Sequence, residues 1–318
     1  NHFNPGLQRT GEPEPARKTS FNRVWADDSL VFQARDPAYQ DYFPALASTN
    51  PAPFYSTDAF TAKAQEYLTE WESQNTGNPF FLYLPYTAPH DPIMAWPDDI
   101  AKYDGVYDVG YDTIRTNRYQ KQLDMGLLNA SQHPLSPSTY HQDWDSIDQT
   151  EKDKEIRRMQ VYAAMVDRVD QKIGDLITQL QQMGVYEDTL ILFCSDNGAS
   201  PGIKDTLTNP AAEIGDLDRY TAQGQSWANV NDTPFREYKT DPEEGGIRTP
   251  LIAHWPNGIV NTNRFTDKSG HLIDFMATFV ELAGADYPRF YDGKGVTPMQ
   301  GESFTDVLYD QTVTPHSP

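Results

Sequence analysis

Three short apolar runs limit most strongly what this chain can fold into: Phe80-Phe81-Leu82-Tyr83-Leu84, Thr189-Leu190-Ile191-Leu192-Phe193-Cys194 and Leu251-Ile252-Ala253-His254-Trp255. Each is too short for a buried helix and stops at a proline or a polar turn, so each reads as a strand covered on both faces. Amphipathic helices separate them. Phe60, Ala64, Tyr67, Leu68 and Trp71 share one face after a start at Thr57-Asp58. Met159, Tyr162, Val166, Val169, Ile173, Leu176, Leu180 and Met183 recur at helical spacing, as do Leu272, Phe275, Met276, Phe279 and Leu282. Gly184 and Gly284 are placed to end these last two helices. Strands alternating with helices predict an α/β fold, a mostly parallel sheet flanked by helices on both faces.

Elsewhere the pattern breaks. Prolines 5, 13, 15, 37, 44, 51 and 53 interrupt every periodicity in residues 1–53, which read as an irregular N-terminal segment. Residues 91–155 read as a long surface excursion with short helices, of the kind that borders a functional cleft. The balance of 25 basic against 46 acidic side chains, a net charge of −21, excludes a general nucleic-acid or anionic-membrane binder. No run approaches the roughly 18 apolar residues of a membrane helix. The one cysteine, Cys194, excludes an internal disulfide framework and a thiolate zinc cluster, and reads as a buried strand residue. Asn1 follows no charged-then-apolar leader, so a matured or cut N-terminus is expected.

Ligands of open parallel sheets sit beyond the carboxyl ends of the strands, and two of the three ends are chemically loaded. After the first comes Tyr86-Thr87-Ala88-Pro89-His90-Asp91-Pro92, where flanking prolines hold a histidine in an extended loop. Such a histidine either bonds nearby backbone or faces a ligand. After the second comes Ser195-Asp196-Asn197-Gly198, an ordinary turn sequence that also offers hard oxygens to Ca²⁺ or Mg²⁺. Entering the third strand, Lys239-Thr240-Asp241-Pro242-Glu243-Glu244-Gly245-Gly246-Ile247-Arg248-Thr249-Pro250 joins a lysine, solvated or anion-binding, to a glycine pair that permits close backbone approach. His271-x-x-Asp274 reads as helix capping, Gly293-Lys294-Gly295 as a turn, and Asp27-Asp28 and Asp98-Asp99 as solvated pairs. Asn129-Ala130-Ser131 and Asn231-Asp232-Thr233 fit the glycosylation acceptor pattern.

Taken in order, Pro-His-x-Pro, a long helix feeding a strand into Ser-Asp-Asn-Gly, and Lys-x₄-Glu-Gly-Gly-x-x-x-Pro resemble the sulfatase family, in particular bacterial arylsulfatases of the alkaline-phosphatase superfamily. Phe54-Tyr55-Ser56-Thr57-Asp58-Ala59 and Pro250-Leu251-Ile252-Ala253-His254-Trp255-Pro256 add to the likeness, which runs from Phe54 to Leu308. The resemblance implies a partial sulfatase catalytic domain over residues 54–318, with the C-terminal antiparallel subdomain largely absent. It implies a divalent cation, Ca²⁺ before Mg²⁺, with Asp196 and Asn197 among its ligands. His90 then corresponds to the histidine that protonates the departing alcohol, and Lys239 to the lysine that grips sulfate oxygens. All four are expected to gather at one rim of the sheet.

Two departures bear on activity. The family's formylglycine nucleophile arises within Cys/Ser-x-Pro-x-Arg, which does not occur in these 318 residues, and the family's first Asp-Asp metal pair also has no match. The resemblance thus implies a sulfuric ester hydrolase whose nucleophile is not in this chain, with the fragment inactive by itself. The alternatives are a phosphonate or phosphodiester hydrolase of the same superfamily, or a non-catalytic protein that binds a sulfated ligand. A soluble, periplasmic or secreted protein is expected. Its strongly acidic surface favours small sulfate monoesters over highly sulfated polysaccharides.

Overall fold

The computed structural model describes residues 23–26, 29–33, 55–139, 142–202, 211–216, 219–266 and 268–309. Phe54 and Asp27-Asp28 lie outside them. The chain divides into two compact units, Asn1–Met183 with Asn197–Arg248, and Gly184–Asp196 with Thr249–Pro318.

The first unit is built on helices. A hairpin of β1 (Arg23–Ala26) and β2 (Ser29–Gln33) lies within the segment expected to be irregular. Next come α1 (Ser56–Gln74), α2 (Pro97–Ala101), α3 (Gly110–Asp124) and the 34-residue α4 (Gln149–Gln182), followed by α5 (Gly224–Asn231) and α6 (Glu244–Ile247). Helix α4 begins well before its apolar repeat. The Asp148 carboxylate accepts the Glu151 N–H at 2.9 Å and caps it, and Glu151 and Glu155 pair with Arg158, so polar side chains nucleate the first turns. Gly184 follows at φ +72°, where only glycine is free of strain.

Helix α4 supplies two cores. Val161, Ala164 and Met165 pack with Ile93, Ile100 and Ile214. On an adjoining face, Met159 and Ala163 pack with Tyr107, Tyr111, Trp227 and Val230, and the Trp227 indole N–H donates to the Glu155 carbonyl at 2.9 Å.

Charges also fasten α4. Asp58, 1% exposed on α1, accepts Arg168 Nε at 2.7 Å and Nη2 at 2.8 Å, a forked pair that ties the two helices together. The Trp96 indole N–H also reaches Asp58, at 3.3 Å. Asp99 corrects the expectation of a solvated pair. It is 5% exposed, accepts Lys102 Nζ at 2.9 Å and Gln171 Nε2 at 3.0 Å, and faces Arg168, so cations on α4 and α2 draw it inward.

The second unit holds β3 (Ile191–Cys194), β4 (Leu251–His254), α7 (Asp274–Leu282), the hairpin β5 (Phe290–Tyr291) and β6 (Lys294–Gly295), and α8 (Thr305–Leu308). Strands β3 and β4 run antiparallel, Ile191 opposite His254 and Cys194 opposite Leu251. The Asp274 carboxylate accepts the N–H groups of His271 at 2.7 Å and Glu302 at 2.9 Å, so it ties the turn before α7 to the segment before α8 instead of capping the helix, whose N-cap Ile273 makes no side-chain cap bond. Gly293 turns the β5–β6 hairpin at φ +72°.

The chain is thus α/β, with an incomplete sheet. Among the described residues the ladders are two-stranded and antiparallel, not the parallel neighbours expected. Residues 80–84 carry no strand assignment and join no described ladder, and Phe81 and Tyr83 are 71% and 76% exposed. The apolar pattern encodes willingness to be a strand; a ladder needs a partner whose N–H and C=O groups are in register. Cys194 is half-buried rather than buried, and burial with the nearby Asp196 pushes its thiol pKa up.

Truncating Asp58 removes the forked partner of the Arg168 guanidinium and leaves it the Gln171 amide oxygen at 3.2 Å and the Asp99 carboxylate at 3.7 Å. Asp58→Ala should cost about 3 kcal/mol, the low end for breaking a buried pair, in urea unfolding, whereas Glu66→Ala, which breaks the exposed pair with Lys63, should cost less than about 1 kcal/mol.

Candidate active site

Three segments of the first unit converge: the turn at 87–92, the loop at 197–200, and the stretch 232–246. The first is a turn rather than the extended loop expected, because the His90 N–H donates to the Thr87 carbonyl at 3.0 Å. The His90 ring is about half exposed, and its two nitrogens face different partners. Nδ1 lies 2.7 Å from the main-chain oxygen of Asp91, and Nε2 lies 3.0 Å from Lys239 Nζ. The backbone bond, one of the two sequence alternatives for this histidine, is present at Nδ1, and Nε2 faces the lysine. The His90–Lys239 contact joins residues 149 positions apart.

Lys239 is placed by its backbone, whose N–H donates to the Ala199 carbonyl at 3.1 Å. Ala199 in turn donates its N–H to both Asp232 carboxylate oxygens, at 3.0 and 3.1 Å. One residue earlier, the Gly198 N–H bonds the Gly246 carbonyl at 3.0 Å. A β-carbon on Gly198 would collide with the Gly245 carbonyl, and one on Gly245 would collide with the backbone of Glu237. The glycines therefore permit close backbone approach. The loop also reaches the histidine turn, since Ser200 Oγ donates to Asp91 Oδ1 at 2.8 Å. Gln223 Nε2 holds the Ser200 carbonyl at 3.0 Å and is itself held through its Oε1 by Asn231 Nδ2.

Of the four residues read from the sequence, His90 and Lys239 are in contact, and Asn197 opens the loop that supports Lys239. Asp196 is exposed and directly follows β3 in the second unit. Asp91, Ser200, Tyr220 and Asp232 were not read as site residues. Asp91 sits inside the Pro-His-x-Pro phrase, but nothing in sequence spacing marks Tyr220 or Asp232 as its companions.

A divalent cation finds only part of a cage here. Asp196 and Asn197 offer two neighbouring side-chain oxygens, and among the described residues no group of three or more His, Cys, Asp and Glu side chains is arranged to hold a metal. Calcium takes about six to eight oxygens, so these two residues could supply only part of its shell. What the arrangement supplies on its own is an ammonium and an imidazole side by side on a half-exposed turn, able to meet an anion and pass a proton.

A family model described as Sulfatase matches residues 5–285, and so takes in the segment read as irregular. An uncharacterized sulfatase of Schizosaccharomyces pombe is 32% identical over 267 residues, 80% of this chain and 48% of that protein. An arylsulfatase of Klebsiella aerogenes is 29% identical over 268 residues, 81% of this chain and 57% of that protein. The chain therefore spans about half the length of the curated relatives it matches. Among solved structures, Ps i-CgsB in complex with k-i-k-neocarrahexaose is 25% identical with a TM-score of 0.45, over 74% of this chain and 36% of that one. No helix among the described residues is long and apolar enough to cross a membrane.

Burial pushes the Asp232 carboxyl up to about 7, against the opposing pull of the Ala199 N–H and Arg118. A carboxyl raised in the folded state contributes stability that is complete below its unfolded value near 4 and is lost as pH rises through about 7. Asp232→Asn cannot ionise. The stability difference between variant and wild type, read from urea midpoints, should therefore shift in favour of Asn between about pH 4 and pH 8.

Proposed function

The chain belongs to the sulfatase family, and from that premise we propose that it carries the leaving-group half of a sulfuric ester hydrolase site, built on His90 and Lys239. The contact of His90 Nε2 with Lys239 Nζ at 3.0 Å is the observation that supports this most directly. When an S–O bond breaks, negative charge gathers on the bridging oxygen, and an ammonium group and a donated proton at that point lower the barrier. Lys239, whose ammonium only donates, would attract the sulfate oxygens. His90 would deliver the proton to the departing alcohol through Nε2, the nitrogen that faces the lysine.

Asp196 and Asn197 would contribute oxygens to a divalent cation, Ca²⁺ before Mg²⁺, which when bound would offset charge on the sulfate. The formylglycine nucleophile would come from a Cys/Ser-x-Pro-x-Arg segment that these 318 residues do not contain. Small sulfate monoesters suit a chain of net charge −21 better than polyanions do. A periplasmic or secreted setting agrees with this chemistry.

The assay follows from the division of labour. The 318-residue polypeptide with Ca²⁺ should turn over no aryl sulfate. A polypeptide that also includes the nucleophile segment should, and in it His90→Ala and Lys239→Ala should each lower kcat by about 10²–10⁴-fold. Equal or faster turnover of matched aryl phosphates or phosphonates would reassign the chemistry to the superfamily's phosphoryl branch. Robust turnover by the polypeptide alone would show that the nucleophile lies within it.

A further inference from the structure

Asp91 is the residue around which the histidine turn is organised, through both side-chain oxygens and its main-chain carbonyl. Its side chain is 11% exposed while the neighbouring His90 ring is 48% exposed. Oδ1 accepts the Ser200 hydroxyl at 2.8 Å, and Oδ2 accepts the Tyr220 phenol at 3.0 Å. These donors come from segments 109 and 129 positions away, so the carboxylate is clamped from two directions. Burial first, and then Asp91, raise the pKa of the Tyr220 phenol, which keeps it a hydrogen-bond donor.

The same residue touches His90 twice. Its carbonyl oxygen lies 2.7 Å from Nδ1, and its Oδ1 lies 3.4 Å from the same nitrogen. A carbonyl oxygen only accepts, so Nδ1 must carry hydrogen. On the far side of the ring Nε2 faces the Lys239 ammonium, which only donates, so Nε2 must present its lone pair. The two constraints together select one neutral tautomer, with Nδ1 protonated and Nε2 bare. A negative carboxylate beside Nδ1 favours the same choice.

We propose that Asp91, clamped by Ser200 and Tyr220, is a positioning residue that holds His90 in the Nδ1–H tautomer with Nε2 directed at Lys239. It does not touch the reacting atoms. It fixes that Nε2 is the nitrogen that takes a proton from solvent at the half-exposed ring and then passes that proton to the leaving oxygen, returning the ring to the Nδ1–H form, and it fixes where that nitrogen points. The consequence for catalysis rests on the assignment of His90 as leaving-group acid made above; the tautomer itself does not.

Two measurements separate these layers. In the 318-residue chain labelled with [¹⁵N]histidine, the His90 ring nitrogens, assigned by their loss in His90→Gln, should report Nδ1 protonated and Nε2 bare. Asp91→Ala and Tyr220→Phe leave the residue-91 carbonyl in place but loosen the clamp that holds it against Nδ1, so each should shift the tautomer ratio toward Nε2–H, by up to about tenfold if that one hydrogen bond is lost. Tyr220→Phe removes one oxygen remote from the ring and serves if Asp91→Ala does not fold, with the other histidine signals reporting folding.

In a polypeptide that also carries the nucleophile, Asp91→Ala should lower kcat far more for aryl sulfates with poor leaving groups than for those with good ones, with KM little changed. A merely structural loss would depress both alike. An unchanged tautomer in a folded variant overturns the proposal even where sulfate esters are hydrolysed. A shifted tautomer in a protein that hydrolyses none overturns the functional assignment and leaves the positioning role standing.

Discussion

A β-carbon on Gly198 would strike the Gly245 carbonyl, and β-carbons on Gly245 and Gly246 would strike the backbone of residues 236–241; most of the candidate site depends on this close stacking of three backbone segments. With it, the short loop after Asn197 can be held on several sides at once. Gly198 is bonded to Gly246, Ala199 to Asp232 and to the backbone of Lys239, and Ser200 to Asp91 and Gln223. Through that loop the lysine and the histidine turn share a common support, although they are far apart in sequence. A site residue fixed by main-chain bonds has fewer conformations to lose when it binds a ligand.

The scaffold beneath this loop relies on buried charge as well as apolar packing. Asp58 and Asp99 surround Arg168, and Glu155 pairs with Arg158 at 2.6 Å where both are almost completely buried. Buried pairs of this kind add little net stability compared with apolar replacements. They penalise wrong registers heavily, because any slip of α4 leaves a desolvated charge without its partner. A helix of 34 residues with a modest apolar stripe gains its register from these pairs.

The acidic character of the chain and the anionic ligand proposed for it are reconciled by distance. At physiological salt the field of a remote carboxylate is screened beyond roughly 8–10 Å, whereas Lys239 stands beside the imidazole at 3.0 Å. Local cationic groups can therefore decide what binds, while the overall charge disfavours long polyanions.

The sequence by itself determined the helices, the family likeness and the chemistry-bearing residue types. Apolar periodicity located α1, α4 and α7, and glycines at 184 and 284 marked ends that the backbone confirms with positive φ. These are local properties, set within a few residues by side-chain spacing and steric freedom. Strand pairing was not legible in the same way: β3 and β4 were located, but their antiparallel ladder was not, and Phe80–Leu84 has the composition of a strand without a described partner. Pairing depends on what lies alongside. His90 and Lys239 could be nominated from motif spacing, yet Asp91, Ser200, Tyr220 and Asp232 could not. Their roles arise only when segments more than a hundred positions apart meet, as Tyr220 meets Asp91, or when burial changes what a carboxyl does, as at Asp232. Tertiary structure decided those, because hydrogen-bond geometry and desolvation belong to the folded environment and not to the order of residues.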